Sequence, residues 1–102
     1  ANLSLDALER YKDTKGAVLL SPGLTYRGVV TDKPLKSLSS SQKVWLVTAE
    51  GDEYSNESVL KLQQIRPDIA TMSILSGKDH GTTLLGSQPT LISDITKFIN
   101  SL

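Results

Sequence analysis

The sequence predicts an α/β fold, a three-stranded parallel sheet with helices on both of its faces. Segments with strand patterns alternate with segments with helix patterns, which is typical of parallel strands joined by right-handed crossovers. The strongest strand pattern, residues 43–49, is apolar almost without a break, as expected of a parallel strand covered on both faces. The chain has 102 residues, enough for a single domain with one core, and it contains no internal repeat.

The first half of the chain predicts a helix, a strand and an irregular connection. Residues 1–11 carry apolar side chains on more than one side, which is typical of a helix packed between neighbours. Residues 17–20 predict a short, fully buried strand, which a Ser-Pro-Gly sequence ends sharply. Residues 24–42 contain glycine, proline and a run of serines, so we expect a loop with one short helix at residues 33–38.

The second half predicts two further strands, each followed by a helix. After the strand at residues 43–49, Ser55 or Asn56 can cap a helix that Pro67 stops. Residues 69–75 predict the third strand. In the last helix the apolar residues keep helical spacing to the end of the chain. Pro89 suits the first turn of this helix, and either Ser87 or Gln88 can cap it.

The composition argues against several classes of partner. Lysine plus arginine and aspartate plus glutamate number 11 each, and no basic cluster with interleaved aromatic residues occurs, so we expect no nucleic acid partner. No apolar run approaches the roughly 20 residues of a membrane helix, so we expect no membrane partner. The lack of cysteine predicts no disulfide, and a single histidine with scattered carboxylates gives no metal-ligand spacing, so we expect no metal site. We also expect no cofactor. The sequence leaves the cellular location undetermined, and a cytoplasmic location is favoured.

The chemistry is expected in the loops that follow the strands. In open α/β sheets, binding and catalytic groups lie at the carboxyl ends of the strands. The acidic segment around Asp52 follows the second strand, and His80, the only histidine, follows the third. Because adjacent parallel strands lie about 4.8 Å apart, these two loops can bring a carboxylate and an imidazole together. A carboxylate bound to one ring nitrogen leaves the other free to take a proton from a serine hydroxyl.

Three segments resemble the C-terminal part of bacterial α/β-hydrolases. Residues 17–28 are similar to the sixth strand and its loop, and residues 44–55 to the seventh strand and its acid loop. The family keeps Gly-x-x-Asp in that loop; here Ala49 replaces the glycine and Asp52 keeps the acid position. The Asp-His-Gly sequence at 79–81 resembles the loop that precedes the family's final helix. The family order is nucleophile, acid, histidine, and Asp52 before His80 fits it.

The resemblance implies that residues 1–102 are one domain portion, running from the helix after the nucleophile elbow to the final helix. Residues 1–5 resemble the helix that follows the Gly-x-Ser-x-Gly elbow, which puts the serine about three residues upstream of Ala1. The parent would then be a serine hydrolase acting on a small-molecule ester or related acyl compound, and this chain alone would be inactive. The connection at residues 24–42 is too short for a lid, as in compact dienelactone-hydrolase-like enzymes.

The site residues have competing interpretations. Family spacing selects Asp52 as the acid over Glu50 and Glu53, while Asp79 points away from its neighbour His80 and is expected to be exposed or capping. The residues expected either to line a substrate pocket or simply to pack are Leu24, Tyr26 and Tyr54. Ser21 is rejected as a substitute nucleophile because proline follows it and it lacks the glycine-flanked strand-to-helix turn.

Two other functions remain open. The chain could be a non-enzymatic binding or assembly module. Such a domain should protect the edge of its first strand, residues 17–20, whereas a fragment leaves that edge open and able to form a homo-oligomer. Nothing polar or proline-rich guards residues 17–20, which favours the fragment. A magnesium site of Glu50 and Asp52 in a nucleotide-processing domain is the weaker alternative, since no phosphate-binding glycine loop accompanies it.

Overall fold

The computed structural model describes residues 1–26 and 28–102, apart from the side chain of Tyr26. Helices and strands alternate over most of this length. The elements are α1 Asn2–Arg10, β1 Gly16–Leu20, β2 Thr25–Tyr26, β3 Val29–Val30, α2 Asp32–Ser37, β4 Lys43–Ala49, α3 Glu53–Ile65, β5 Ala70–Leu75, α4 Thr83–Ser87 and α5 Leu91–Asn100. Within the described residues, no helix has the length and apolar character needed to cross a bilayer.

The main sheet is parallel and has the strand order β1-β4-β5. Leu20 at the end of β1 is level with Val47, and Ala49 at the end of β4 is level with Leu75. The predicted three-stranded parallel sheet is therefore confirmed. Its topology brings the carboxyl ends of all three strands to one edge, where the loops with Ser21, Asp52 and His80 begin.

Helices cover both faces of this sheet, as predicted. Successive side chains of a strand point to opposite faces, so β4 contributes to two separate cores. Val44 and Leu46 join the core under α1, α2 and α3, whereas Val47 and Ala49 join the core under α4 and α5. On the second face the ring of Trp45 also lies 5.8 Å from that of Phe98, centroid to centroid.

Two burial predictions for the first half are wrong. The β1 strand was expected to be fully buried, but only Leu19 is, because β1 is the edge strand of the described sheet and has a neighbour on one side. The helix α1 was expected to be packed between neighbours. It buries Leu5 and Leu8, yet the side chain of Leu3 is 69% exposed, so one side of the helix has no cover among the described residues.

Several element boundaries also differ from the prediction. Asp52, rather than Ser55 or Asn56, occupies the N-cap position of α3, and Thr90 occupies that of α5. Ser87 belongs to α4, an unpredicted helix of five residues. The connection after β1 holds the β2–β3 hairpin as well as the short helix that was expected.

The side chain of Arg66 ties the end of α2 to the turn before β5. Nη1 of Arg66 donates to the carbonyl oxygens of Leu35, Lys36 and Leu38, at 3.3, 3.2 and 2.7 Å. Its Nε and Nη2 donate to the two carboxylate oxygens of Asp68, each at 3.0 Å. These hydrogen bonds from Arg66 hold the pKa of Asp68 below its ordinary value of 3.8.

The lowered pKa of Asp68 predicts a small acid sensitivity. A carboxylate with a depressed pKa in the folded state stabilises the fold above pH 3.8, and that stabilisation is lost as the pH falls through the folded pKa. Chemical denaturation of wild type and Asp68→Asn across the acid range measures it. We expect a wild-type advantage near neutrality that shrinks below pH 3.8; an advantage that grows in acid would contradict the assignment. The carboxylate of Asp68 is exposed, so the effect should be small.

Candidate active site

The loops after β4 and β5 run side by side. The amide of Glu50 donates to the carbonyl of Leu75 at 2.8 Å, and the amide of Gly51 donates to the carbonyl of Gly77 at 2.9 Å. The parallel pairing of the two strands thus continues beyond their ends. This continuation sets the residues that follow, Asp52 in one loop and His80 in the other, next to each other.

Gly51 permits the close approach of the two loops. A Cβ atom at this position would lie 2.8 Å from Cβ of Lys78 and 2.9 Å from the carbonyl oxygen of Gly77. Contacts under 3.0 Å are not found between real Cβ atoms and their neighbours. A side chain at position 51 would therefore force the loops apart.

Asp52 and His80 form a hydrogen-bonded pair. Oδ2 of Asp52 lies 2.5 Å from Nδ1 of His80, and the side chains are 14% and 66% exposed, respectively. An ionised carboxylate can only accept a hydrogen bond, so Nδ1 is the donor, and in the neutral imidazole Nε2 keeps a lone pair that can accept a proton. The two residues predicted as acid and histidine are thus brought together in the geometry that prepares an imidazole to accept a proton.

The carboxylate of Asp52 does not cap α3, although its position at the start of the helix favours that role. Asp52 stands at the N-cap of α3, where aspartate commonly accepts a hydrogen bond from a first-turn amide, yet no side-chain cap is formed. A single hydrogen bond of this kind contributes about 0.5–1.5 kcal/mol, no more than the cap would. Stability alone does not account for the arrangement, and this favours a chemical role for the pair.

The backbone around His80 is held by two hydroxyl groups. Oγ1 of Thr83 accepts from the amide of His80 at 3.1 Å and donates to its carbonyl at 2.6 Å. The amide of the next residue, Gly81, donates to Oγ of Ser21 at 2.9 Å. Neither Thr83 nor Ser21 was assigned this role from the sequence. The contact of Ser21 spans 60 residues and leaves no local pattern, whereas Thr83 lies only three residues from His80 and its position was a local signal.

A cavity of about 310 Å³ lies beside the pair. His80 and Gly81 line it together with Ser21, with Tyr54 and Ser55 from the first turn of α3, and with the start of α1. Oγ of Ser55 is fully buried and has no hydrogen-bond partner among the described residues.

The three predicted pocket residues have different positions. Tyr54 lines the cavity, and its hydroxyl donates to the carbonyl of Thr25 at 2.8 Å. Leu24 is partly buried against the core under α1–α3 and lies outside the described lining of the cavity, as the packing alternative expects. The side chain of Tyr26 lies outside the described residues.

The other carboxylates near the site stand apart from the imidazole. Glu50 and Glu53 are exposed, Asp79 is partly buried, and none of the three has a described hydrogen bond to His80. For the magnesium alternative, the described residues contain no group of three His, Cys, Asp or Glu side chains arranged as metal ligands. Asp52 is also already engaged by the imidazole.

Comparison of the chain with protein-family models, with curated proteins and with solved structures found no match.

Proposed function

We propose that this chain is the C-terminal part of an α/β-hydrolase, in which Asp52 and His80 activate a serine nucleophile contributed by a segment before α1. The observation that carries the proposal is the Asp52–His80 hydrogen bond at the carboxyl edge of a parallel sheet, with an imidazole that lines a cavity. That edge is where α/β proteins place their catalytic groups.

The start of α1 supports the proposed position of the nucleophile. Ala1 and Asn2 line the same cavity as His80. The buried side chain of Asn2 donates to the carbonyl of Val29 at 2.9 Å and accepts from the amide of Gly23 at 3.2 Å, which holds the start of the helix in place. A segment leading into Ala1 would therefore run beside this cavity, where a strand-to-helix nucleophile elbow would present its serine to the imidazole.

The proposed reaction is the hydrolysis of an ester or related acyl compound. Nε2 of His80 takes the proton of the serine hydroxyl while the serine oxygen attacks the acyl carbon, and then returns the proton to the leaving alcohol. Asp52 fixes the ring tautomer and stabilises the imidazolium. Water then attacks the acyl-serine by the same route, releasing the acid and restoring the serine. Within the described residues, neither Ser21 nor Ser55 has a hydrogen bond to the imidazole, so neither is in position to be the nucleophile.

The coding sequence upstream of the codon for Ala1 tests the proposal. We expect it to encode Gly-x-Ser-x-Gly leading into Ala1, with the serine about three residues before it. A start codon or an unrelated sequence at that place would overturn the enzyme proposal.

The assembly module remains a second candidate because one side of β1 has no strand partner among the described residues. Such an edge can pair with β1 of a second copy. Light scattering across a concentration series of this chain distinguishes the candidates when it is repeated with the upstream segment present. An edge left open by a missing neighbour should stop associating once that segment is restored, whereas an assembly surface should associate in both forms.

A further inference from the structure

We propose that Ser21 is a positioning residue, whose side chain anchors the His80 loop through the amide of Gly81. The catalytic meaning of this anchor depends on the proposed function, but the anchor itself is a property of this chain. From the sequence Ser21 was considered only as a possible nucleophile, and its hydrogen bond indicates a different role.

The backbone of Ser21 is fixed to the sheet. Ser21 directly follows β1, its amide donates to the carbonyl of Val47 at 2.7 Å, and the residue is 6% exposed. It therefore moves with the central strand β4 rather than with the loop after β1. A group attached to this backbone provides a rigid point from which another loop can be held.

The conformation of Ser21 is costly and needs a compensating contact. Its φ of +53° is in the left-handed region, and it is the one residue other than glycine with positive φ among the described residues. Glycine would adopt this angle without steric conflict, whereas serine does not. What serine adds is a hydroxyl group, and the described hydrogen bond of that hydroxyl is the one from Gly81 at 2.9 Å.

The His80 loop needs such an anchor. Gly81 has a φ of +63°, and a Cβ atom there would have no neighbour within 4 Å, so side-chain packing does not restrain its backbone. Thr83, at the start of α4, holds His80 itself, whereas Ser21 connects the loop to the sheet. Without Ser21 the loop could rotate about Gly81 and carry the imidazole away from Asp52.

Two variants separate the hydroxyl group from the backbone strain. Ser21→Ala removes the hydroxyl and keeps the strain, whereas Ser21→Gly removes both and should unfold at close to the wild-type denaturant concentration. We expect both variants to exchange the Gly81 amide about tenfold faster, the effect of losing one hydrogen bond. Both should also lower the fraction of neutral imidazole with its hydrogen on Nδ1, measured from the ring ¹⁵N shifts of His80.

Ser58→Ala is the matched control. Its buried hydroxyl accepts from the amide of Leu24 and donates to the carbonyl of Tyr54, away from the His80 loop. This variant should lower stability while leaving the Gly81 exchange and the His80 shifts at their wild-type values.

The inference fails if Ser21→Gly keeps the wild-type Gly81 exchange and His80 shifts, or if Ser58→Ala changes them equally. A change of the Gly81 exchange and the His80 shifts in Ser21→Ala alone would show that backbone strain causes the change. That result would also contradict the inference. These readouts need no catalysis, so they are independent of the test of the proposed function. The proposed function is contradicted by the upstream coding sequence, not by these measurements.

Discussion

Replacing His80 by alanine, or Asp52 by asparagine, should reduce ester hydrolysis on the order of 10⁴-fold in the protein that includes the upstream segment. Without His80 nothing accepts the serine proton. Asparagine at position 52 keeps the shape but presents an N–H to the ring, which favours the wrong tautomer. Because asparagine is as good an N-cap residue as aspartate, Asp52→Asn should fold normally.

The measurement is kcat for a chromogenic ester, with stability measured in parallel. Asp79→Asn is the matched control, since Asp79 adjoins His80 in sequence but has no described hydrogen bond to it; we expect activity close to wild type. In this chain, His80→Ala removes one hydrogen bond and should change the free energy of unfolding by no more than about 1.5 kcal/mol. Retention of activity by Asp52→Asn, or an equal loss in Asp79→Asn, would contradict the assignment of the acid.

Gly51→Ala should separate the two loops that carry the site. The added methyl group would lie 2.8 Å from Cβ of Lys78 and 2.9 Å from the carbonyl of Gly77, and backbone must move to admit it. We expect a loss of about 1–3 kcal/mol in the free energy of unfolding, the usual cost of overpacking. We also expect loss of the Asp52–His80 hydrogen bond, because the movement falls between the loops that hold the two residues.

Gly86→Ala controls for the removal of a glycine. Gly86 lies in α4 with open space around its Cβ position, so alanine should be neutral or should stabilise the chain by about 0.5–1 kcal/mol. Chemical denaturation gives the stabilities, and the ring ¹⁵N shifts of His80 report the hydrogen bond. A Gly51→Ala protein with wild-type stability and unchanged His80 shifts would show that the close approach is not needed.

The parts of the fold that depend on long apolar patterns could be predicted from the sequence. Residues 43–49 form a strand because their side chains fill two cores at once, and a nearly unbroken apolar run is the sequence signal of that burial. Once the strands are parallel, the loops after them share one edge. The meeting of Asp52 and His80 follows from that topology, without knowledge of any side-chain contact.

The features that were missed depend on contacts between distant residues. The two-residue strands β2 and β3 are too short to show an alternating pattern. The predicted N-cap of α3 is wrong because capping preferences assume that the side chain accepts a hydrogen bond from the first turn of the helix. The carboxylate of Asp52 is hydrogen-bonded to His80 instead. The left-handed backbone of Ser21 has no signal in a residue type that rarely adopts it.

The central claim is that the Asp52–His80 pair serves a serine that precedes α1. Fluorophosphonate labelling of the protein that includes the upstream segment, followed by peptide mapping, tests it most directly. We predict one labelled serine, within Gly-x-Ser-x-Gly just before Ala1, and loss of the label in His80→Ala. A label on Ser21 or on another serine of residues 1–102, or a label that persists without His80, would contradict the claim.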